Sequence, residues 1–212
     1  MLANNPCRGV ERNATVSRER VLSDSEVPLF WHAFSEAGVP GMALQVLLLT
    51  GQRPGEVTHM RHDQIIDGSW EMPGKPDPKT GWPGTKNGAT HRVWLPQSVR
   101  DIIKKLNYGD GFVFGQSLAL SATMQTICKR LAVPRATPHD LRRTHGSTIT
   151  KLGFGRDAMN RIQNHKEGGI ASVYDRFQYS EENKRVMEST ATHLLALAQG
   201  NAAPSNVVIG NF

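Results

Sequence analysis

Six side chains in this sequence have the types and spacing to attack a phosphodiester. The stretch from Thr137 to Tyr174 opens T-P-H-D-L-R-R-T-H and resumes, twenty residues later, as H-K-E-G-G-I-A-S-V-Y. It supplies His139, Arg142, His165 and Tyr174, the tyrosine nine positions after His165. Arg53 stands upstream in T-G-Q-R-P-G-E-V, and Lys86 in T-K-N-G-A-T-H-R-V-W-L-P. Two forked guanidiniums suit the non-bridging oxygens of a phosphate. A phenol is a weak nucleophile at neutral pH, with a pKa of about 10. It needs cations beside it, or a base at the moment of attack. A loop lysine can carry an ammonium to a leaving oxygen, and Lys75 and Lys79 in the same loop are rivals for that part. Each residue also has a plainer reading. Arg53 fits a surface arginine or one paired with Glu56, and Tyr174 a half-buried helix tyrosine. His165 fits a histidine settled on a helix C-terminus, and Lys86 a solvated loop lysine.

These side chains need elements to hold them. Thr137 reads as an N-cap, Pro138 as the first helical residue and Asp140 as an acid serving the first turn. His139 and Arg142 then share one face at a helix N-terminus, where free N–H groups attract phosphate. A solvated basic helix face is the alternative. Arg53 precedes Pro54 in the same way, just after an apolar helix over 42–50 that Gly51 closes. Ser23 to Glu26 opens a helix over 27–34. Residues 64–66, 69–72 and 92–95 read as short strands, with Asp67-Gly68 as a tight hairpin turn. The loop 73–90 between the last two is rich in Pro, Gly and Lys. Helices are predicted near 98–106, 117–132, 138–151, 156–164, 171–178 and 181–199, and Val207 to Ile209 reads as a short strand. The fold class is mostly α with one small antiparallel β-sheet (α+β). Residues 1–22 read as a linker or arm, 23–199 as one domain and 200–212 as a tail.

The bulk properties bound the partner. With 212 residues and 38% hydrophobic content, the chain can bury one sizeable core. Its net charge of +6 suits a polyanion, most simply nucleic acid. Its two cysteines, Cys7 and Cys128, lie too far apart for a disulfide framework or a metal-site spacing, which points to a reducing cytoplasm. The opening M-L-A-N-N-P-C-R-G-V lacks the apolar core of a signal peptide, and the longest apolar run, Met42 to Leu49, is too short to span a membrane.

Taken together, the motifs resemble the catalytic domain of tyrosine recombinases, the phage and prophage integrase family, from about Arg18 to about Thr190. Arg53 to Glu56 is similar to the family's first arginine motif, and His139-Asp140-Leu141-Arg142 to its H-x-x-R signature, which Arg143-Thr144 extends. The His165-to-Tyr174 spacing is the family's usual one, and Lys86 falls in the hairpin that carries its lysine. Pro6 to Arg20 resembles the linker leading into such a domain. Asn164 departs from the pattern, standing where the family usually has glycine. The family's N-terminal helical, DNA-clamping domain is absent from this sequence, so the chain reads as part of a longer protein.

The resemblance implies site-specific cutting and rejoining of DNA through a 3′-phosphotyrosine, with no metal and no cofactor. Tyr174 would be the nucleophile, Arg53 and Arg142 the phosphate clamp, and His139 a donor to the same oxygens or the acceptor of the tyrosine proton. His165 would hydrogen-bond the phosphate, and Lys86 would protonate the leaving 5′-oxygen. Lys129, Arg130, Arg135 and Arg143 are candidate DNA contacts, with a solvated helix face as the alternative. The implied partner is double-stranded DNA bound by four protomers, with a monomer in its absence, in the bacterial cytoplasm at the nucleoid. Three rivals stand beside this reading. One is a metal-dependent nuclease using His59, His62, His91, His139, His145 and His165. The others are a non-catalytic DNA-binding remnant of a prophage integrase, and a type IB topoisomerase-like enzyme.

Overall fold

The computed structural model describes residues 19–106, 111–115, 118–165 and 179–201. The chain opens with two helices, α1 (Glu26–Glu36) and α2 (Gly38–Thr50). Arg20 and Leu22 tie the preceding segment down. Arg20 pairs with Glu26, and the buried Leu22 donates its N–H to the Thr144 hydroxyl at 2.9 Å. The second helix starts four residues earlier than its apolar run suggests. Pro40 falls in its first turn, where the missing N–H costs no bond. Every residue of α2 from Ala43 to Thr50 is buried, and the helix packs against α1 and, later in the chain, five further helices. It is the central rod of the core. Gly41 permits this, because a Cβ there would stand 1.9 Å from the Phe34 carbonyl oxygen of α1.

A short helix, α3 (Pro54–Thr58), follows, then a 3₁₀ turn at His62–Gln64 and a three-stranded antiparallel sheet. Its strands are β1 (Ile65–Ile66), β2 (Ser69–Met72) and β3 (His91–Trp94), in that spatial order. Asp67 and Gly68 both have positive φ, as a two-residue hairpin with right-handed twist requires. Gln64 belongs to the turn rather than the strand, and its side-chain Oε1 accepts the Trp70 indole N–H at 2.9 Å. The third strand begins one residue early, at His91, which pairs with Met72.

The remaining helices are α4 (Gln97–Lys104), α5 (Leu120–Leu131), α6 (Pro138–Lys151), α7 (Gly155–Ile162) and α8 (Ser180–Ala198). The bounds of α6 match its sequence signals, with Pro138 first and Thr137 as cap. The second half of the fold is a helical layer: α6 lies on α2, α7 on α6, and α8 on α1, α2 and α6. The helix expected over 171–178 and the strand expected over 207–209 lie outside the described residues. No described helix is long and apolar enough to cross a membrane.

Helix α5 ends in a left-handed cap built with the wrong residue for it. Ala132 has φ +52, its N–H reaches the Lys129 carbonyl at 3.3 Å, and the Val133 N–H reaches that of Cys128 at 3.2 Å. A Cβ is disfavoured there by about 1 kcal/mol, and glycine carries none. Ala132 is exposed, so nothing else is lost by removing its methyl. Ala132→Gly is therefore expected to stabilise the protein by about 0.5–1 kcal/mol. Chemical denaturation of the two proteins at the same pH measures this directly.

Candidate functional site

Helices α3 and α6 begin with the same device. In R-P-G-E, the Arg53 N–H donates to Glu56 Oε2 at 3.1 Å; in T-P-H-D, the Thr137 N–H donates to Asp140 Oδ2 at 2.8 Å. In each helix an acid at the third position grips the N-cap backbone, and a proline at the first position sets φ in advance. Both helix starts are held against slippage, and each carries a candidate arginine. Arg53 sits on the N-cap itself, and Arg142 lies one turn into α6, 6% exposed.

The two arginines meet at the C-terminus of α7. That helix closes with a Schellman motif: the Asn164 N–H bonds the Arg161 carbonyl at 3.2 Å and the His165 N–H bonds that of Asn160 at 3.0 Å. Asn164 takes the left-handed position, at φ +49. Asparagine is among the few residues besides glycine that tolerate it, so the departure from glycine leaves the turn intact. The expected helix over 156–164 therefore stops at Ile162.

Among the described residues the next three carbonyls have no backbone partners and are taken by side chains. Ile162 accepts from Gln52 Nε2 at 2.9 Å and lies 3.0 Å from His91 Nε2. Gln163 accepts from Arg142 Nη2. Asn164 accepts from Arg53 Nη2 at 3.0 Å and from Asn87 Nδ2 at 3.1 Å. Arg142 also donates to the Gly51 carbonyl at 2.7 Å, and Gln163 Nε2 returns a bond to the Arg142 carbonyl at 2.8 Å. Gly51 is required where it stands. Its φ is +63, and a Cβ would fall 2.3 Å from the His145 ring.

The electrostatics of this cluster are strongly one-sided. Burial, then the neighbouring Arg53, push the Arg142 guanidinium down to about 9, with Glu56 opposing; it stays protonated at neutral pH. Glu56, 4% exposed, is the carboxylate beside the pair, and Arg53 Nη1 bonds it at 3.1 Å. Arg53 is thus paired with Glu56, as one of its plainer readings expected, and its other arm rests on Asn164. His139 is lowered by burial, then by Arg142, Arg143 and Lys86, with Asp140 opposing. His165 is lowered by burial, then by Arg142 and Arg53. The favourable helix-dipole effect expected for His165 is outweighed by these. Its Nδ1 lies 3.2 Å from Asn160 Oδ1, which orients the ring.

The structure thus gathers Arg53, Arg142, His139, His165 and Lys86 into one positively charged region. Tyr174 lies outside the described residues. Of the candidate DNA contacts, Lys129 and Arg135 are exposed. Arg130 pairs with Glu36 at 2.9 Å and Arg143 with Asp140 at 2.6 Å, so each already has an acidic partner. Among the described residues no group of three His, Cys, Asp or Glu side chains is arranged to hold a metal ion. Sequence reasoning missed Gln52, Asn87, His91, His145 and Gln163 as supports. The available signal was Gln52 itself, a polar residue between a helix-closing glycine and an arginine.

The buried histidines make stability depend on pH. Burial chiefly lowers His91 to about 4 and His145 to about 3, against an ordinary value near 6.5. Both are neutral when folded and charge on unfolding. Stability is therefore full above about pH 6.5 and falls as pH drops toward those folded values, by about 1.4 kcal/mol per pH unit for each histidine. Urea denaturation between pH 7 and pH 5 should show this slope. His91→Gln, whose amide can still donate to Ile162, should make the slope shallower.

No protein-family model matches the chain, and no curated protein matches it. Solved structures do. A lambda integrase dimer bound to a COC′ core site is 17% identical at a TM-score of 0.57, over 74% of this chain and 61% of that one. The integrase of mycobacterium phage Brujita is 16% identical at 0.59, over 87% and 63%. The XerH site-specific recombinase bound to difH in a pre-cleavage complex is 14% identical at 0.54, over 73% and 50%. The chain thus spans 50% to 63% of the length of these three proteins. Their shared architecture is the one described above: this chain has the fold of a tyrosine recombinase catalytic domain.

Proposed function

We propose that this chain cuts and rejoins double-stranded DNA by transesterification, with Tyr174 as the nucleophile. The observation that carries the reading is the convergence of Arg53 and Arg142 on adjacent carbonyls, with His139, His165 and Lys86 around them. Two oriented guanidiniums with one buried carboxylate between them leave positive charge unbalanced. A phosphodiester is the anion whose two non-bridging oxygens match two forks.

The step balances as follows. The Tyr174 oxygen bonds to phosphorus as the bond from phosphorus to the 5′-oxygen breaks, giving a 3′-phosphotyrosine and a free 5′-hydroxyl. His139, neutral at pH 7 because its pKa is lowered, takes the tyrosine proton. Lys86 gives a proton to the leaving 5′-oxygen. Arg53 and Arg142 hold the charge that grows on the phosphoryl oxygens. Bound phosphate offsets the arginines and raises the pKa of His165, whose Nε2 then donates to it. Rejoining runs the same steps backward, and the covalent link keeps the bond energy, so no nucleotide cofactor is consumed. No metal enters the scheme. Exposed cations such as Lys129 and Arg135 add affinity through backbone phosphates. A lambda integrase tetramer is seen bound to a Holliday junction, and four protomers on DNA are part of this proposal.

The test uses nicked duplexes of pooled sequence, with chelator present, and reads a protein–DNA adduct that survives denaturant. The wild-type chain is expected to form it and Tyr174→Phe to form none. An adduct retained by Tyr174→Phe would overturn the nucleophile, and one that needs added metal would overturn the mechanism. Duplex binding without any adduct would leave a DNA-binding module that does not cut.

A further inference from the structure

The loop between β2 and β3 is fastened to the end of α7 by two asparagines. Asn87 Nδ2 donates to Asn164 Oδ1 at 2.8 Å and to the Asn164 carbonyl at 3.1 Å, and Asn164 Nδ2 returns a bond to Asn87 Oδ1 at 3.2 Å. The same Asn87 oxygen accepts the Ala89 N–H at 3.2 Å, which fixes which end of the amide is which. The Thr85 hydroxyl lies 3.1 Å from that oxygen and 2.7 Å from the Ala89 carbonyl. Asn87 therefore organises its own loop tip while it grips α7. Gly84 and Gly88, both at positive φ, let the tip fold around it.

We infer that the Asn87–Asn164 pair is a clasp that positions Lys86 against the anion site. This rests on the proposed cleavage reaction, in which Lys86 protonates the leaving oxygen. Lys86 is exposed and adjacent to Asn87, and its charge is felt at His139. A lysine on an unfastened loop would spread its ammonium over a wide volume. The clasp instead refers it to the turn that also anchors Arg53 and precedes His165. Asn87 and Asn164 are thus positioning residues. Asn164 meets Arg53 only through its backbone carbonyl, and the two side-chain amides bond each other.

Asn164→Gly removes the side-chain half of the clasp. Glycine keeps the left-handed turn, and its carbonyl keeps the bonds from Arg53 and Asn87, so only the two bonds of the side-chain amide are lost. The readout is cleavage by the full chain of two matched duplex pools, one with an ordinary scissile phosphate and one with a 5′-bridging sulfur. A thiolate leaves without a proton donor, so a misplaced acid no longer matters. On oxygen, Asn164→Gly and Asn87→Ala are expected to cleave at least about 10-fold slower than wild type, in the direction of Lys86→Ala. On sulfur all three should approach wild type, whereas Arg142→Ala should stay slow on both. Asparagine variants equal to wild type on oxygen, or slow on both substrates, would overturn the positioning role. Amide exchange gives a second reading that needs no activity. Residues 85–89 should exchange at least about 10-fold faster in Asn164→Gly, and unchanged exchange would overturn the clasp itself. A wild type inactive on both pools would instead overturn the proposed function and the clasp's part in it, leaving exchange to report on the loop alone.

Discussion

The carboxyl end of α7 is the constraint on which the site depends. Any helix leaves its last carbonyls without partners, and a buried one is costly unless a donor reaches it. Here the Schellman turn closes the carbonyls of Asn160 and Arg161 from the backbone, and three more remain at Ile162, Gln163 and Asn164. Arg53 and Arg142 have the opposite need, because a buried guanidinium without acceptors costs several kcal/mol. Each deficit meets the other. Gln52, His91 and Asn87 complete the arrangement, so donors from α3, β3, the hairpin loop and α6 all end on one turn. The apolar side of α7, Ala158 and Ile162, pins the helix to the core, and the polar end sets its register.

The acids at the two helix starts serve the same end by another route. Glu56 and Asp140 are both buried, and each spends one oxygen on an N-cap N–H. The other oxygen goes to an arginine, Arg53 in one case and Arg143 in the other. Backbone and side chain are locked by a single carboxylate. This explains how Arg53, on a helix of only five residues, can hold a fixed direction. An isolated helix of that length has no stability of its own; its geometry comes from Pro54, Glu56 and the turn of α7.

Much of this was legible in the chain, because it is written in local chemistry. T-P-H-D and R-P-G-E specify helix starts by rules that act within four residues, and α6 matches its expected bounds for that reason. Asp67-Gly68 specifies a hairpin in the same way. What could not be read is long-range satisfaction. Nothing near Gln52 says that its amide will meet Ile162, 110 positions away, or near Asn87 that it will meet Asn164, 77 positions away. The lowering at His165 is long-range in the same way. The helix end argues for a raised value, whereas the arginines that lower it come from distant segments.

The cluster is more strained electrostatically in the free protein than its hydrogen bonds suggest. Burial and Arg53 push Arg142 down, and burial, then nearby cations with Arg142 common to both, lower His139 and His165. Glu56 relieves only part of this, because one carboxylate faces two guanidiniums. The fold accepts the repulsion because carbonyl dipoles of Gly51, Gln163 and Asn164 orient the guanidiniums without neutralising them. A carboxylate in their place would satisfy the arginines fully and close the site to any other anion. Dipoles hold the direction and leave the charge available. An entering anion is then met by donors already aimed, with little reorganisation left to make, and that is the condition under which fixed charge favours a transition state over water.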